Sequence, residues 1–269
     1  MPALQWAPHS PVIWTFTGTD LEPGELAVLR AATRSVRALI TFHERAAHQV
    51  RRELPGTAQR VRVIPPGVAI DRARPPAPAV PGRGLLFLLP AGIRAIKDPD
   101  LAVSAAAAVR EAGGDVHLYI AGPSRDPAFH QAFLGRLAGI PFVHYLGEVP
   151  RQELQGWYGR ADVVLNTSRL EGLSNAVLEG MAAGRAVLAT DIPGNRAAIR
   201  HGVDGWLAMP GNLPDAAVHL ARAPDLRARL GAAARASVQE RFSPQAEAAA
   251  HIRLYAEVCR PVPSGRGDG

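Results

Sequence analysis

Two glutamates, Glu171 and Glu179, stand eight positions apart around a run that has the features of a helix start. Gly172 permits a tight turn, and Ser174 is of a residue type that caps helix N-termini. The backbone N–H groups of a first helical turn are unpaired and carry the positive end of the helix dipole, so they favour an anion. Carboxylates accept hydrogen bonds from paired hydroxyls, which a ribose or a hexose presents. The run therefore predicts a phosphate site flanked by sugar hydroxyls.

Two cations form a second candidate group. Arg94 and Lys97 come just before Pro99, a residue that suits the first turn of a helix. A guanidinium can bind phosphate through two hydrogen bonds, whereas an ammonium acts as a point charge. Together they would neutralise a diphosphate, and such stabilisation of a departing group can raise a rate by about two to three orders of magnitude. The alternative is that Arg94 only pairs with a surface carboxylate.

Apolar segments alternate with helical patterns between residues 84 and 208. The predicted strands are 85–89, 116–121, 142–146, 163–166, 186–189 and 205–208, and the predicted helices are 100–111, 127–137, 151–158, 175–183 and 195–200. Short apolar strands joined by helices indicate a parallel sheet that is buried on both faces. Ligands bind such sheets at the carboxyl ends of the strands, where both candidate groups lie.

The rest of the chain shows a shorter alternation and a helical tail. Strands at 11–16, 38–42 and 60–64 and helices at 25–37 and 44–54 follow the βαβ rhythm of a second parallel sheet. Segment 71–83 is rich in proline and predicts a linker. The tail, 213–258, is helical with breaks near Pro224 and at Ser243-Pro244.

Composition excludes several classes of protein. With 269 residues and 47% hydrophobic content, the chain can bury a sizeable core. Its formal charge is +6, but the arginines are scattered and no aromatic strip accompanies them, so we expect no nucleic-acid partner. The absence of an 18-residue apolar run predicts no transmembrane segment, and we expect a cytoplasmic protein. The single cysteine, Cys259, predicts a buried structural thiol.

The order of motifs resembles glycosyltransferase family 4. Residues 171–179 are similar to the E-x7-E signature of that family, and 179–187, 191–195 and 201–207 are similar to the passages that follow it. Earlier matches are 15–20, 63–68, 121–123 and 146–149, and the short loop 92–99 resembles that of glycosyltransferase 1 domain-containing proteins. The resemblance implies an α/β, GT-B-like fold of two Rossmann-like domains with parallel sheets and an active site in the cleft between them.

The family resemblance also implies an activity. It implies a retaining, metal-independent transfer of a sugar from a nucleotide-diphosphate sugar to an unknown acceptor, with no cofactor. Glu171, Arg94 and Lys97 would be catalytic, the first through sugar hydroxyls and the cations through the diphosphate. The donor would also be bound by Glu179 through the ribose, by backbone amides of Gly172, Leu173, Ser174 and Asn175, and by a turn beside the base formed by Gly147, Glu148 and Val149.

Three features depart from the family pattern. Arg94 precedes Lys97 by three positions rather than five, and Thr17 stands where many relatives carry a histidine. The family fold also needs a longer first domain, so we expect 1–70 to be a partial N-terminal, acceptor-side domain whose exposed sheet edge permits self-association. The remaining predicted regions are the linker 71–83, a nucleotide-sugar-binding domain 84–242, a helix 243–260 that could cross back to the first domain, and a disordered tail 261–269.

Other interpretations of the same residues remain open at this stage. The chain could bind a nucleotide sugar or a partner protein without transfer, or be an epimerase or phosphorylase of the same architecture. A phosphorylase would need a Schiff-base lysine, and Lys97, the only lysine, already has a place in the phosphate motif. His117 and His144 fall in apolar strands, which favours structural roles, and His43 could approach an acceptor or begin a helix.

Overall fold

The structure is a computed structural model that describes residues 11–16, 33, 36–70 and 84–259. These residues form two compact units. One holds the described residues up to Gly67 together with those from Pro244 onward, and the other runs from Val68 to Ser243. The predicted linker, the turn at 17–20, the tail 261–269 and most of the predicted helix 25–37 lie outside the described residues.

The first unit contains a parallel sheet with strand order β1-β2-β3. Its elements are β1 (Val12–Thr15), β2 (Val36–Thr41), α1 (Glu44–Glu53), a 3-10 helix (Pro55–Arg60), β3 (Val61–Val63) and, at the end of the chain, α9 (Pro244–Val258). His43 begins α1, because its Nδ1 accepts a hydrogen bond from the Ala46 N–H at 3.1 Å. Of the two roles considered for His43, the structure shows the helix start.

Both faces of this small sheet are covered. Leu39 and its neighbours pack against Ala47 and Val50 of α1, whereas Ala38, Ile40 and Ile64 pack against Leu254 of α9. A strand that is buried on both sides needs consecutive apolar residues, which explains the run in β2. The Gly67 N–H also donates to Glu247 Oε2 at 2.8 Å, which ties α9 to the end of the β3 segment.

Two expectations for this unit are wrong. The helical pattern was expected to continue to Arg37, but β2 already begins at Val36, which pairs with Val12 and is buried. The β-branched side chain of Val36 fits this sheet position better than a helix. Cys259 was expected to be buried, but its thiol is exposed because the residue follows the end of α9, whose buried residue is Leu254.

The second unit contains a six-stranded parallel sheet with strand order β6-β5-β4-β7-β8-β9. Its strands are β4 (Leu85–Pro90), β5 (Val116–Ala121), β6 (Val143–Gly147), β7 (Val163–Asn166), β8 (Ala186–Thr190) and β9 (Trp206–Ala208). Its helices are α2 (Pro99–Glu111), α3 (Pro127–Leu137), α4 (Arg151–Arg160), α5 (Asn175–Ala182), α6 (Pro193–Ala198), α7 (Leu213–Arg222) and α8 (Pro224–Arg241). The predicted α/β fold with parallel sheets is confirmed.

The strand order contains one reversal of direction. From β4 the chain builds outward through β5 to β6, and it then returns to β7 on the other side of β4 and builds outward through β8 to β9. Loops on either side of such a switch point diverge and leave a crevice at the carboxyl edge of the sheet. The loops after β4 and β7 border this crevice, and they carry Arg94, Lys97 and Glu171.

The predicted strands of this sheet correspond to the observed ones within one residue at each end. Helix α6 differs by two residues, since it spans Pro193–Ala198 rather than 195–200. Pro193 suits the first helical turn, and Ile199 is already extended, with φ −101° and ψ 130°. Among the described helices, none is long and apolar enough to cross a membrane.

Candidate active site

The loop after β4 places Lys97 at the end of a short 3-10 helix, Ala95–Lys97. The loop begins beside the next strand, because the Ile93 N–H donates to Pro123 O at 2.9 Å. It ends at Asp98, whose φ of 45° lies in the left-handed region. Asp is one of the few residue types that tolerate this region, and the turn that it makes lets α2 begin at once at Pro99.

The loop after β7 holds the backbone of the first loop directly. The Thr167 hydroxyl donates to Lys97 O at 2.8 Å, and the Arg169 N–H donates to Ile96 O at 2.9 Å. The Arg169 side chain also pairs with Asp98, with an Nε–Oδ2 distance of 2.8 Å. Since Thr167 is buried, these bonds fix the two loops to each other at the switch point. The position of Lys97 relative to the β7 loop is therefore determined by backbone contacts.

Lys97 and Glu171 form an ion pair in this arrangement. The distance between Lys97 Nζ and Glu171 Oε1 is 2.5 Å, and the two side chains are only 18% and 13% exposed. Oε1 also accepts hydrogen bonds from Ser168 Oγ at 2.7 Å and from Asn166 Nδ2 at 3.4 Å. No donor in the described parts of the chain reaches Oε2. One carboxylate oxygen of Glu171 is thus held by three protein donors, and the other is free for a ligand.

A buried polar network lies beneath Glu171. Asn166 Nδ2 donates to Ser174 Oγ at 2.9 Å, and Asn195 Nδ2 donates to Asn166 Oδ1 at 3.1 Å. Thr190 Oγ1 donates to Ser168 O at 2.6 Å. All five of these side chains are at least 95% buried. These hydrogen bonds between buried side chains favour a single arrangement and so fix the loop from β7 to α5, although Asn195 Oδ1 has no partner in the described residues.

Gly194 allows α6 to approach this loop closely. A β-carbon at residue 194 would overlap the carbonyl oxygens of Glu171 and Gly172. A glycine is therefore required where α6 packs on the Glu171 turn. This requirement could not be recognised from the Asp-Ile-Pro-Gly-Asn run alone, since it depends on two segments that are more than twenty positions apart in the chain.

The start of α5 follows the predicted position but differs in its capping. Ser174 occupies the N-cap, yet its side chain makes no capping bond because its hydroxyl accepts from Asn166 instead. The expectation of a serine-capped helix is thus correct in position and wrong in chemistry. Leu173 and Ser174 are buried, Gly172 is half-buried and Asn175 is exposed. The N–H groups of this first turn have no helical carbonyl partners.

Glu179 lies one turn further along α5, at a separate part of the crevice. Its side chain is 16% exposed, and Arg151 Nη2 of α4 lies 3.7 Å from its Oε1. The ring of Tyr158 is fully buried beside it. The pKa of Tyr158 is well above its usual value, mainly because the phenol is buried and secondly because of the charge of Glu179. The phenol therefore stays neutral. Arg151 is 80% exposed, so we expect a weak ion pair with Glu179.

A pocket of about 280 Å³ opens at the ends of β4, β5 and β6. Of the predicted donor-binding residues, its lining includes Glu179, Glu148 and Val149. Gly147 ends β6 with a φ of 72°, which favours glycine, and its carbonyl accepts from the Gly122 N–H at 2.8 Å. Glu171, Arg94 and Lys97 are not among the lining residues. The predicted site therefore consists of two groups, this pocket and the Lys97–Glu171 pair.

Arg94 is exposed, and no carboxylate among the described residues pairs with it. The alternative of a surface ion pair for Arg94 thus has no partner among the described residues. His117 Nδ1 and His144 Nε2 lie 3.0 Å apart in a stacked group with Tyr119, consistent with structural roles. Thr17 lies outside the described residues. Across the described ranges, no group of three or more His, Cys, Asp or Glu side chains could hold a metal ion.

Sequence reasoning missed two side chains of the pocket. Arg125 and Tyr158 both line it. Arg125 follows the end of β5, so its position at the carboxyl edge of a predicted strand was an available signal. Tyr158 lies within α4, and no local pattern separates a tyrosine that faces a pocket from one in the core.

Comparison with known relatives gives the context for this geometry. The chain is 28% identical to glycosyltransferase 1 domain-containing protein 1 of Xenopus tropicalis over 85% of its own length and 71% of that protein. It is 31% identical to a D-inositol 3-phosphate glycosyltransferase of Streptomyces scabiei over 86% of its own length. The chain spans only 55% of the length of that enzyme.

Solved structures give the same fold at low identity. HepE of Anabaena, solved in complex with UDP and glucose, matches with a TM-score of 0.81 at 17% identity, over 94% of this chain and 74% of that one. Sucrose-phosphate synthase of Thermosynechococcus elongatus matches with a TM-score of 0.77 at 19% identity, over 95% and 70% of the two chains. These matches confirm the predicted GT-B-like fold class. Residues 84–223, more than half of the chain, match the model of the glycosyl transferases group 1. The chain therefore belongs to the glycosyl transferases group 1 family.

Proposed function

We propose that this chain binds a nucleotide-diphosphate sugar and transfers its glycosyl group to an acceptor, with retention of configuration and without a metal ion. The observation that carries the proposal is the junction of the β4 and β7 loops. It brings Lys97 and the half-satisfied carboxylate of Glu171 together next to a pocket lined by Glu179. Donor chemistry of this kind is supported by HepE, whose structure holds UDP and glucose.

Each group has a distinct task in the proposed reaction. Glu179 accepts hydrogen bonds from the ribose hydroxyls, and the turn 147–149 lies beside the base. The backbone amides of 172–175 and the cations Arg94 and Lys97 receive the diphosphate. Glu171 accepts from a hydroxyl of the donor sugar through Oε2, while Ser168 and Asn166 keep Oε1 in place.

The chemical step exchanges one bond at the anomeric carbon. The bond from that carbon to the diphosphate oxygen breaks, and its electron pair leaves with the phosphate. The acceptor oxygen forms the new bond on the same face of the sugar, and its proton passes to the departing phosphate oxygen. Lys97 and Arg94 stabilise the negative charge that develops, which is the part of catalysis that electrostatics supplies most strongly.

We expect a bound diphosphate to compete with Glu171 for the ammonium of Lys97. The ammonium of Lys97 lies 2.5 Å from Oε1 of Glu171. A diphosphate offers a competing partner, and Glu171 does not lose all of its donors if Lys97 turns away, because two neutral donors remain. The ion pair therefore compensates both buried charges, and separating Lys97 from Glu171 does not leave the carboxylate without donors.

Titration calorimetry and a release assay test the proposal. We expect the chain to bind UDP or GDP, and Glu179→Ala to weaken that binding about tenfold, because two hydrogen bonds to a charged acceptor are lost. Glu111→Ala, which removes an exposed glutamate at the end of α2, is the matched control and should change nothing. A folded chain that binds neither diphosphate would contradict the proposal. If the chain binds UDP-sugar or GDP-sugar but releases no UDP or GDP when pools of acceptors are added, the result would refute transfer and leave donor binding in place.

A further inference from the structure

Arg125 is a cation of the pocket that the family motifs do not include. It follows β5, its side chain is exposed, and it lines the same pocket as Glu179 and Glu148. Among the lining residues, all of which belong to the described part of the chain, the other two charged groups are these carboxylates. A pocket with two carboxylates repels an anionic ligand unless cations offset them. Arg151 lies 3.7 Å from Glu179 but does not line the pocket, so Arg125 is the cation within the lining that can do this.

The backbone around Arg125 is joined to the loop that carries Arg94. Ile93 and Ser124 form a parallel bridge, and the Arg125 N–H donates to Ile93 O at 3.2 Å. The stem of Arg125 lies over Gly92, since a β-carbon at that glycine would stand 3.0 Å from Arg125 Cγ and 3.9 Å from Nε. The absence of a side chain at Gly92 thus leaves room for the guanidinium beside the Arg94 loop.

Nothing in the described residues neutralises this guanidinium. No carboxylate lies within ion-pair distance of Arg125, and the adjacent Asp126 instead accepts from the Phe129 N–H at 3.0 Å to begin α3. Most other arginines of this unit pair with a carboxylate or donate to a carbonyl, as Arg136 does to Asp100 and Arg222 to Ala112. Arg125 and Arg94 are therefore two guanidiniums on joined loops at one edge of the sheet, and neither has a carboxylate partner in the ranges that the structure describes.

We propose that Arg125 contacts the diphosphate of the bound nucleotide from the pocket side, opposite the amides at the start of α5. This inference rests on the proposed function, because it takes a nucleoside diphosphate as the ligand. A guanidinium suits this role, since its planar fork forms two hydrogen bonds to a phosphate. The arrangement makes the pocket selective for nucleotides over nucleosides despite its two carboxylates.

The test compares nucleotides with nucleosides across matched variants. Affinities for UDP and GDP are measured by calorimetry at two salt concentrations, and those for uridine and guanosine by ligand-observed NMR. We expect Arg125→Gln to weaken binding of the diphosphate about tenfold and to reduce its salt dependence, with nucleoside affinity unchanged. Arg125→Lys should recover part of the loss. Arg229→Gln, which removes an exposed arginine of α8 outside the pocket, should have no effect.

Two results would overturn the inference. The first is unchanged diphosphate affinity in Arg125→Gln, and the second is a parallel loss of nucleoside affinity, which would place the guanidinium on the base. Both require that the unmodified chain binds UDP or GDP. If the unmodified chain binds neither, the proposed function itself fails, so the two failures are distinguishable.

Discussion

Two carboxylates in the second unit are both largely buried, but their surroundings differ. Asp204 is completely buried, and both of its oxygens are occupied. Oδ1 accepts from the Arg200 N–H at 2.6 Å, and Oδ2 accepts from Arg200 Nε at 2.8 Å and from Ser237 Oγ at 2.7 Å. Glu171 is 13% exposed, and its donors all converge on Oε1.

The difference separates a carboxylate whose two oxygens are both bound within the fold from one that, under the proposed function, binds a ligand. Asp204 joins the turn after α6 to α8, each of its oxygens has a protein donor, and its side chain is closed off from solvent. Glu171 has an equally well-defined position, but no donor from the described residues reaches its Oε2. Burial and charge alone would therefore rank the two residues alike, whereas the count of donors on each oxygen assigns them different roles.

The largest expected effect is that of Lys97→Met. This change removes the cation that would stabilise the departing diphosphate, and we expect the rate of nucleoside diphosphate release to fall about 100- to 1000-fold. The midpoint of thermal unfolding should change little, because Glu171 keeps its hydrogen bonds from Ser168 and Asn166 and is partly exposed to solvent. Lys97→Arg, which retains the charge, should preserve more of the rate. Full activity of the Met variant would show that Lys97 takes no part in the reaction. It would also weaken the contrast between Glu171, the partner of Lys97, and Asp204.

The second largest effect is a loss of stability when Asp204 is changed. Asp204→Asn leaves the Arg200 guanidinium without its charged partner, and we expect a loss of about 2 kcal/mol in stability, less than for a fully buried pair because Arg200 is 57% exposed. In a unit of this size the midpoint should fall by about 4–8 °C. UDP affinity below that midpoint should not change. Asp215→Asn, an exposed aspartate of α7, serves as control, and a selective loss of nucleotide binding in Asp204→Asn would contradict the structural role.

The smallest effect concerns the donors that hold Glu171. Ser168→Ala removes one of the two neutral donors to Oε1, and we expect affinity for a nucleotide sugar to fall about fivefold while affinity for the nucleoside diphosphate stays the same. Ser168→Thr should restore the affinity. Ser104→Ala, on the exposed face of α2, controls for loss of a hydroxyl. Equal losses for both ligands would show a general disturbance of the loop rather than misplacement of one carboxylate.

The sequence allowed most of the second unit to be predicted. Short apolar strands and proline-led helices have strong local signals, so the strands of the six-stranded sheet and the breaks at Pro224 and Ser243-Pro244 follow from them. The grouping of Lys97 with Glu171 was also predictable, because both follow strands of one parallel sheet. Their direct pairing was not, since it depends on how the Thr167 and Arg169 bonds hold the first loop.

The remaining features depend on contacts between distant segments. Val36 looks helical beside the residues before it, and only its pairing with Val12 reveals a strand. Gly194 looks like an ordinary turn glycine until α6 is packed on the Glu171 loop. Arg125 carries no motif, and its position in the pocket depends on the bridge between Ile93 and Ser124. None of these three features can be recognised from the neighbouring residues in the sequence, because the same residues are compatible with more than one environment. The tertiary structure is needed to identify the environment.

The placement of α9 has a consequence for how the chain folds during synthesis. One face of the first sheet, formed by Ala38, Ile40 and Ile64, is covered by Leu254, which the ribosome adds roughly 190 residues after Ile64. At the usual rate of synthesis of about 5–20 residues per second, that apolar face stays uncovered by Leu254 for about ten seconds or more. The six-stranded unit, which lies between Ile64 and Leu254 in the chain, can form in this interval, before Leu254 covers the apolar face. Chaperone dependence of a nascent chain should therefore originate in the N-terminal sheet.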